Sequence, residues 1–188
     1  MLKRIMYFLS PPVFADDEEK TRTANLLKVI AISSFFAALC YGLIAPVGRV
    51  IYAGLATAVI LIVWLLIQSG SIRAASIALI SGTFLVIALL VMASGGVNAP
   101  EYGAFIIPIL FAGLLLGWRV TVLTMLCSVL FGAALIQPGL HAMLPNPTDH
   151  TPPVFWVINS LYFVLASLFL TLALQMVNEA LRGTNRQL

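Results

Sequence analysis

The chain has 188 residues, 61% of them hydrophobic and 9% charged, with a formal net charge of +3. Soluble domains carry about 25% charged residues, so this composition excludes a soluble enzyme and defines an integral membrane protein. At about 20 apolar residues per helical crossing, the length holds roughly six crossings with short tails and no separate catalytic domain. The basic residues are scattered singly, without interleaved aromatics, which excludes a nucleic-acid partner.

Lys3 and Arg4 precede an apolar stretch too short to span and without the pattern of a secretory signal. Met6, Tyr7, Phe8 and Leu9 read as an amphipathic segment on the lipid boundary, ended by Pro11-Pro12. Asp16-Asp17-Glu18-Glu19-Lys20-Thr21-Arg22 places acids before bases, as a solvated helix start does. Residues 1–25 are therefore expected to be a cytoplasmic N-terminal segment, 26–177 an all-α polytopic bundle, and 178–188 the start of a cytoplasmic exit helix. The first crossing is predicted over 26–45, with Lys28 snorkelling toward the headgroups, and Pro46-Val47-Gly48-Arg49 forms the turn. The second covers 50–67, a polar connection follows over 68–73, and the third covers 74–93.

Ser94-Gly95-Gly96-Val97-Asn98-Ala99-Pro100-Glu101-Tyr102 then breaks the helical pattern. Gly95 and Gly96 can take positive φ, Pro100 fixes φ, and Ala99 is held extended ahead of it. Glu101 is the only acidic residue between Glu19 and Asp149, and it falls where a helix begins and the helix dipole favours an acid. The segment reads either as a plain reversal between two membrane helices or as a turn that also lines a ligand pocket. The fourth crossing, 102–117, is short and contains Pro108, which predicts a kink or a re-entrant start. Gly117-Trp118-Arg119 leaves no room for a loop, so the fourth and fifth (120–136) segments form a hairpin. Gln137 opens the longest connection, which carries His141, Asp149 and His150; the sixth crossing covers 154–177.

Basic residues set the orientation. With a cytoplasmic N-terminus, Lys3, Arg4, Lys20, Arg22, Lys28, Arg73, Arg119, Arg182 and Arg186 all lie inside and Arg49 alone lies outside. This asymmetry supports about six transmembrane helices with both termini cytoplasmic. Gly113 and Gly117, Ser128 and Gly132, and Ala78 and Gly82 are spaced as small-xxx-small pairs that let helices approach in lipid.

No ionisable residue falls mid-span, which disfavours an ion-coupled transporter, and no intramembrane histidine is present to hold a haem. His141, Asp149 and His150 match no metal template, and Cys40 and Cys127 have no disulfide spacing. No metal or other cofactor is expected. HExxH, GxSxG and P-loop motifs are absent, so no catalytic residue is assigned. The polar residues inside the spans are mostly Ser and Thr, which bond back to their own helix. Asn159 differs, because it lies near the outer end of the sixth crossing at the depth of Asn98 and Glu101. Asn98, Glu101, Tyr102 and Asn159 are therefore the candidate ligand-binding residues, with Gly95, Gly96, Pro100 and Pro108 shaping the turn.

Leu174, Leu181 and Leu188 recur every seven residues, with Val177 between them, as in the opening of a parallel coiled coil. Gly183 weakens that pattern. Because it stops at Leu188 in mid-pattern, the chain is expected to be part of a longer protein.

Pro11-Pro12-Val13-Phe14-Ala15-Asp16-Asp17-Glu18-Glu19-Lys20-Thr21-Arg22 resembles the opening of multi-pass N-terminal membrane sensor domains of bacterial sensor histidine kinases. Ser94-Gly95-Gly96-Val97-Asn98-Ala99-Pro100 and Ala112-Gly113-Leu114-Leu115-Leu116-Gly117 are similar to segments of the same modules, with Ala99 where serine is usual. Asn178-Glu179-Ala180-Leu181-Arg182-Gly183-Thr184-Asn185-Arg186-Gln187-Leu188 resembles their exit helix. The resemblance implies an input domain in the cell inner membrane that passes a stimulus through Leu174, Val177, Leu181 and Leu188 to a cytoplasmic output domain, as a homodimer. Any kinase domain would lie beyond Leu188. The alternative is a non-sensory membrane subunit, a small facilitator or scaffold of a larger complex. The lipid bilayer is the partner common to both.

Overall fold

Inside lipid a backbone must satisfy its own hydrogen-bonding groups, and among single segments only a helix does so. A computed structural model describes residues 18–44, 50–136, 156–157, 159–164, 166–168 and 170, and among these the regular structure is helical throughout. The elements are α1 (Glu18–Ile44), α2 (Val50–Gln68), α3 (Ile72–Ala93), 3-10 segments Gly96–Asn98 and Pro100–Phe105, α4 (Ile106–Leu116) and α5 (Trp118–Ile136). The apolar helix Asn159–Leu168 is α6.

Among the described residues four helical stretches, Thr23–Leu43, Val50–Gln68, Ile72–Ala93 and Trp118–Ile136, are long and apolar enough to cross a membrane. The other two predicted crossings correspond to the shorter apolar helices Pro100–Leu116 and Asn159–Leu168. Large apolar side chains stand outward along the helices: Leu43 is 79% exposed, and Ile51, Leu61, Leu85, Leu123 and Leu130 are also exposed. A surface of that kind would aggregate in water, and it is the surface a bilayer requires.

The chain divides into two compact units, Met1–Gly82 and Thr83–Leu188. In the first, α1 packs on α2. Ala24, Leu27, Lys28, Ala31 and Ala38 are buried on α1, a stripe at helical spacing, and Ile60, Val63 and Ile67 are buried on α2. A side chain at Gly42 would press on Ala53, and Lys28 Nζ lies 5.7 Å from the centre of the Trp64 ring. These two approaches, one toward each end of the pair, make α1 and α2 an antiparallel hairpin. Lys28 thus lies against α2 with 8% of its surface exposed, rather than reaching freely to the headgroups. A cation over an indole gains about 1–2 kcal/mol, while desolvating an ammonium costs several.

Ser69, Gly70 and Ser71 join α2 to α3. Ser71 N–H donates to the Leu66 carbonyl at 3.1 Å and Gly70 N–H to the Ile67 carbonyl at 3.0 Å, with Gly70 at φ 78°. This is a Schellman cap, which satisfies the last carbonyls of α2 while turning the chain. Any side chain at Gly82 would collide with Val59, so α3 approaches α2 closely there, as the small-residue spacing predicted.

The second unit contains the remainder of α3, the 3-10 segments and α4–α6. Pro108 has no N–H to offer the carbonyl four residues back, and its ring crowds that carbonyl. The predicted disturbance takes the form of tighter winding: the backbone is 3-10 through Phe105 and α-helical from Ile106, and Pro108 is the third residue of α4. Gly117, at φ 86° and ψ −178°, connects α4 to α5, its N–H donating to the Ala112 carbonyl at 3.1 Å. The expected hairpin is present, since α4 and α5 pack together. Gly113 and Gly117 are not a packing pair. A Cβ at Gly113 would meet Leu170 and Thr121, whereas one at Gly117 meets nothing, so Gly117 serves the turn.

Ser and Thr hydroxyls bond back as expected: Thr57 to Ala53 (2.9 Å), Ser76 to Ile72 (3.0 Å), Thr124 to Val120 (2.8 Å) and Ser128 to Thr124 (2.9 Å). Cys40 and Cys127 are free and exposed. Arg49, His141, Asp149, His150 and the exit-helix residues Leu174, Val177, Leu181 and Leu188 lie outside the described residues, as does the segment before Glu18.

Candidate functional site

The break after α3 is built by its glycines. Ser94 N–H closes the helix on the Leu90 carbonyl at 3.0 Å; then Gly95 at φ 106° and Gly96 at φ 84° turn the backbone through a region side chains disfavour. Ala99 is extended at φ −70° and ψ 137°, as a residue before proline should be. Its N–H donates to the Gly96 carbonyl at 3.1 Å, and its own carbonyl receives Tyr102 N–H at 3.0 Å. Glu101 falls in the first turn of the 3-10 segment that Pro100 opens. The first 3-10 segment packs on α5, and Val97 is buried in the core of this unit.

Tyr102 is fully buried. Its ring lies 5.6 Å from that of Phe105 and 5.5 Å from that of Phe163 on α6, and its hydroxyl donates to the Ser128 carbonyl at 3.1 Å. Phe105 also meets Phe84 of α3 at 4.9 Å and Phe131 of α5 at 5.6 Å. In lipid, helices gain no hydrophobic drive from meeting one another, so such ring contacts and hydrogen bonds are what hold the turn in place.

Gly132 admits this arrangement. A Cβ there would tilt toward the preceding turn of α5, over the Ser128 carbonyl, and would strike the Tyr102 hydroxyl and Trp156. Its absence lets two side-chain donors reach consecutive carbonyls of one helix: Tyr102 to Ser128, and Trp156 Nε1–H to Val129 at 3.0 Å. Ser128 and Gly132 are legible in the sequence as a small-residue pair, but nothing there names Tyr102 or Trp156 as the groups they receive.

The structure brings Asn159 to the turn: a Cβ built on Gly103 lies 3.7 Å from Asn159 Oδ1. Asn98 Oδ1 and Glu101 Oε2 are shielded from solvent within it. Tyr102 faces the core with its hydroxyl engaged on Ser128, so Asn98, Glu101 and Asn159 carry the remaining polar chemistry of the predicted site. Two further buried polar groups lie on the same two elements. Ser94 Oγ in the turn and Ser160 Oγ on α6 are buried without a hydrogen-bond partner among the described residues. A buried hydroxyl in that state can engage a ligand or a water without giving up an existing bond. Amide, carboxylate and hydroxyl groups suit recognition of a small hydrogen-bonding molecule.

Comparison of the chain with protein-family models, curated proteins and solved structures gave no match. The fold by itself defines a membrane protein whose regular structure, among the described residues, is helical.

Proposed function

We propose that this chain is the membrane-embedded sensory input domain of a bacterial signal-transduction protein of the histidine-kinase type. In this reading it crosses the inner membrane six times with both termini cytoplasmic, and Asn98, Glu101 and Asn159 recognise the stimulus at the outer end. The last helix carries a shift to a cytoplasmic output domain in a homodimer. The observation that carries the reading is the contact between the turn and α6, through Asn159 against Gly103 and Phe163 against Tyr102. A ligand that repacks the turn must then displace or rotate α6, which precedes the heptads at 174–188 in the sequence, and differential binding to two such packings shifts their populations. The resemblance of residues 11–22, 94–100 and 112–117 to sensor-kinase modules supports the same reading.

The test begins with the coding sequence beyond Leu188. The encoded full-length protein, reconstituted in liposomes, is expected to autophosphorylate from ATP, and Asn98→Ala/Glu101→Ala/Asn159→Ala is expected to change that rate by about fivefold or more. A stop codon directly after Leu188, or a rate unaffected by the triple substitution, would overturn the reading and leave the membrane-subunit alternative.

A further inference from the structure

The first unit carries a feature that the sensory reading does not use. Lys28, on the buried face of α1, is more than nine-tenths buried, yet its ammonium rests on the ring of Trp64, and no carboxylate among the described residues is paired with it. Lys28 stands five residues inside the apolar stretch Thr23–Leu43, and Trp64 four residues from the end of the apolar stretch Val50–Gln68, so both lie about 6–8 Å in from the ends of those stretches. That is the depth at which tryptophan anchors at the membrane interface. The Schellman turn directly follows α2, and the approach of Gly82 to Val59 sets α3 antiparallel to α2. Arg73, exposed at the second residue of α3, is thereby brought level with Gln68, one turn outward from Trp64.

We propose that Lys28, Trp64 and Arg73 form a site for the phosphate of an anionic phospholipid. Three helices contribute one group each. The indole fixes the Lys28 ammonium at the boundary instead of letting it extend into water, and Arg73 adds a second, forked donor on the headgroup side. No carboxylate among the described residues is paired with that ammonium, and at that depth the anion supplied by the surroundings is the lipid phosphate. A free phosphate ester offers the same chemistry but lacks the acyl chains that would lie against the exposed apolar surface of α1 and α2, so the lipid is the occupant.

Native mass spectrometry of the whole chain, released from mixed micelles of phosphatidylglycerol and phosphatidylcholine, tests this. Phosphatidylglycerol is expected to be retained in preference to phosphatidylcholine, and glycerol 3-phosphate not to compete. Lys28→Gln and Arg73→Gln are each expected to weaken retention by about fivefold, and Lys28→Arg to preserve it. Equal retention of the two lipids, full competition by glycerol 3-phosphate, or unchanged retention in both Gln variants would each overturn the proposal. If Lys28→Gln loses helicity by circular dichroism, Arg73→Gln decides, since an exposed side chain supports no core.

Discussion

Gly132 limits what α5 can carry where Tyr102 and Trp156 meet it. Gly132→Ala forces a methyl group against the Tyr102 hydroxyl and is expected to cost about 1–3 kcal/mol of stability in detergent, as overpacking does. Tyr102→Phe removes one donor while the Ser128 carbonyl keeps its place in the helix, so its cost is expected to be smaller, about 0.5–1 kcal/mol. The two sites are coupled. In the double variant the missing hydroxyl opens space for the methyl group, and the loss should fall short of the sum of the single losses. Denaturant unfolding of the four proteins followed by circular dichroism measures this; strict additivity would show that the hydroxyl and the Gly132 position do not share one space. Lys28 presents a different residue-scale lesson. A lysine early in an apolar run reads as snorkelling, because nothing in its own helix reveals that a tryptophan of the next helix will receive it.

At the scale of elements, the connections rest on very few residues. Gly117 alone turns α4 into α5, in a backbone region essentially reserved for glycine. Gly117→Ala is expected to destabilise the second unit by about 1–3 kcal/mol through backbone strain alone, because a Cβ there meets no neighbour. Hydrogen exchange should show the loss as faster exchange at the ends of α4 and α5, with α1 and α2 unaffected. Most helix ends were legible in the sequence for this reason: glycine and proline act locally, and their placement at 70, 95–96, 100 and 117 marks where the backbone departs from α-helix. The start of α1 was legible as well, because Glu18 falls in the run of acids before bases over 16–22 that reads as a solvated helix start. The winding before Pro108 was legible as a disturbance but not as a 3-10 segment, because sequence gives the lost donor and not the way neighbouring carbonyls are re-paired. The donors on Ser128 and Val129 were illegible, being set by contacts 26 and 27 residues apart in the chain.

For the whole molecule, the six-crossing reading makes a sidedness prediction. In a Cys40→Ser/Cys127→Ser background, single cysteines at Ser69 and Trp118 should react with an impermeant maleimide only when the cytoplasmic face is opened. A cysteine at Pro100 should react from outside on intact cells. Labelling of Pro100 and Trp118 from one side would remove the fourth crossing. The 3-10 winding of Pro100–Phe105 bears on that point through reach rather than chemistry. A 3-10 segment climbs about 2.0 Å per residue against 1.5 Å for an α-helix, so the 17 residues of Pro100–Leu116 extend about 28 Å instead of about 25 Å. The hydrocarbon slab is about 30 Å thick. Stretching the spring at one end gives a helix with too few residues nearly the length of one that has enough.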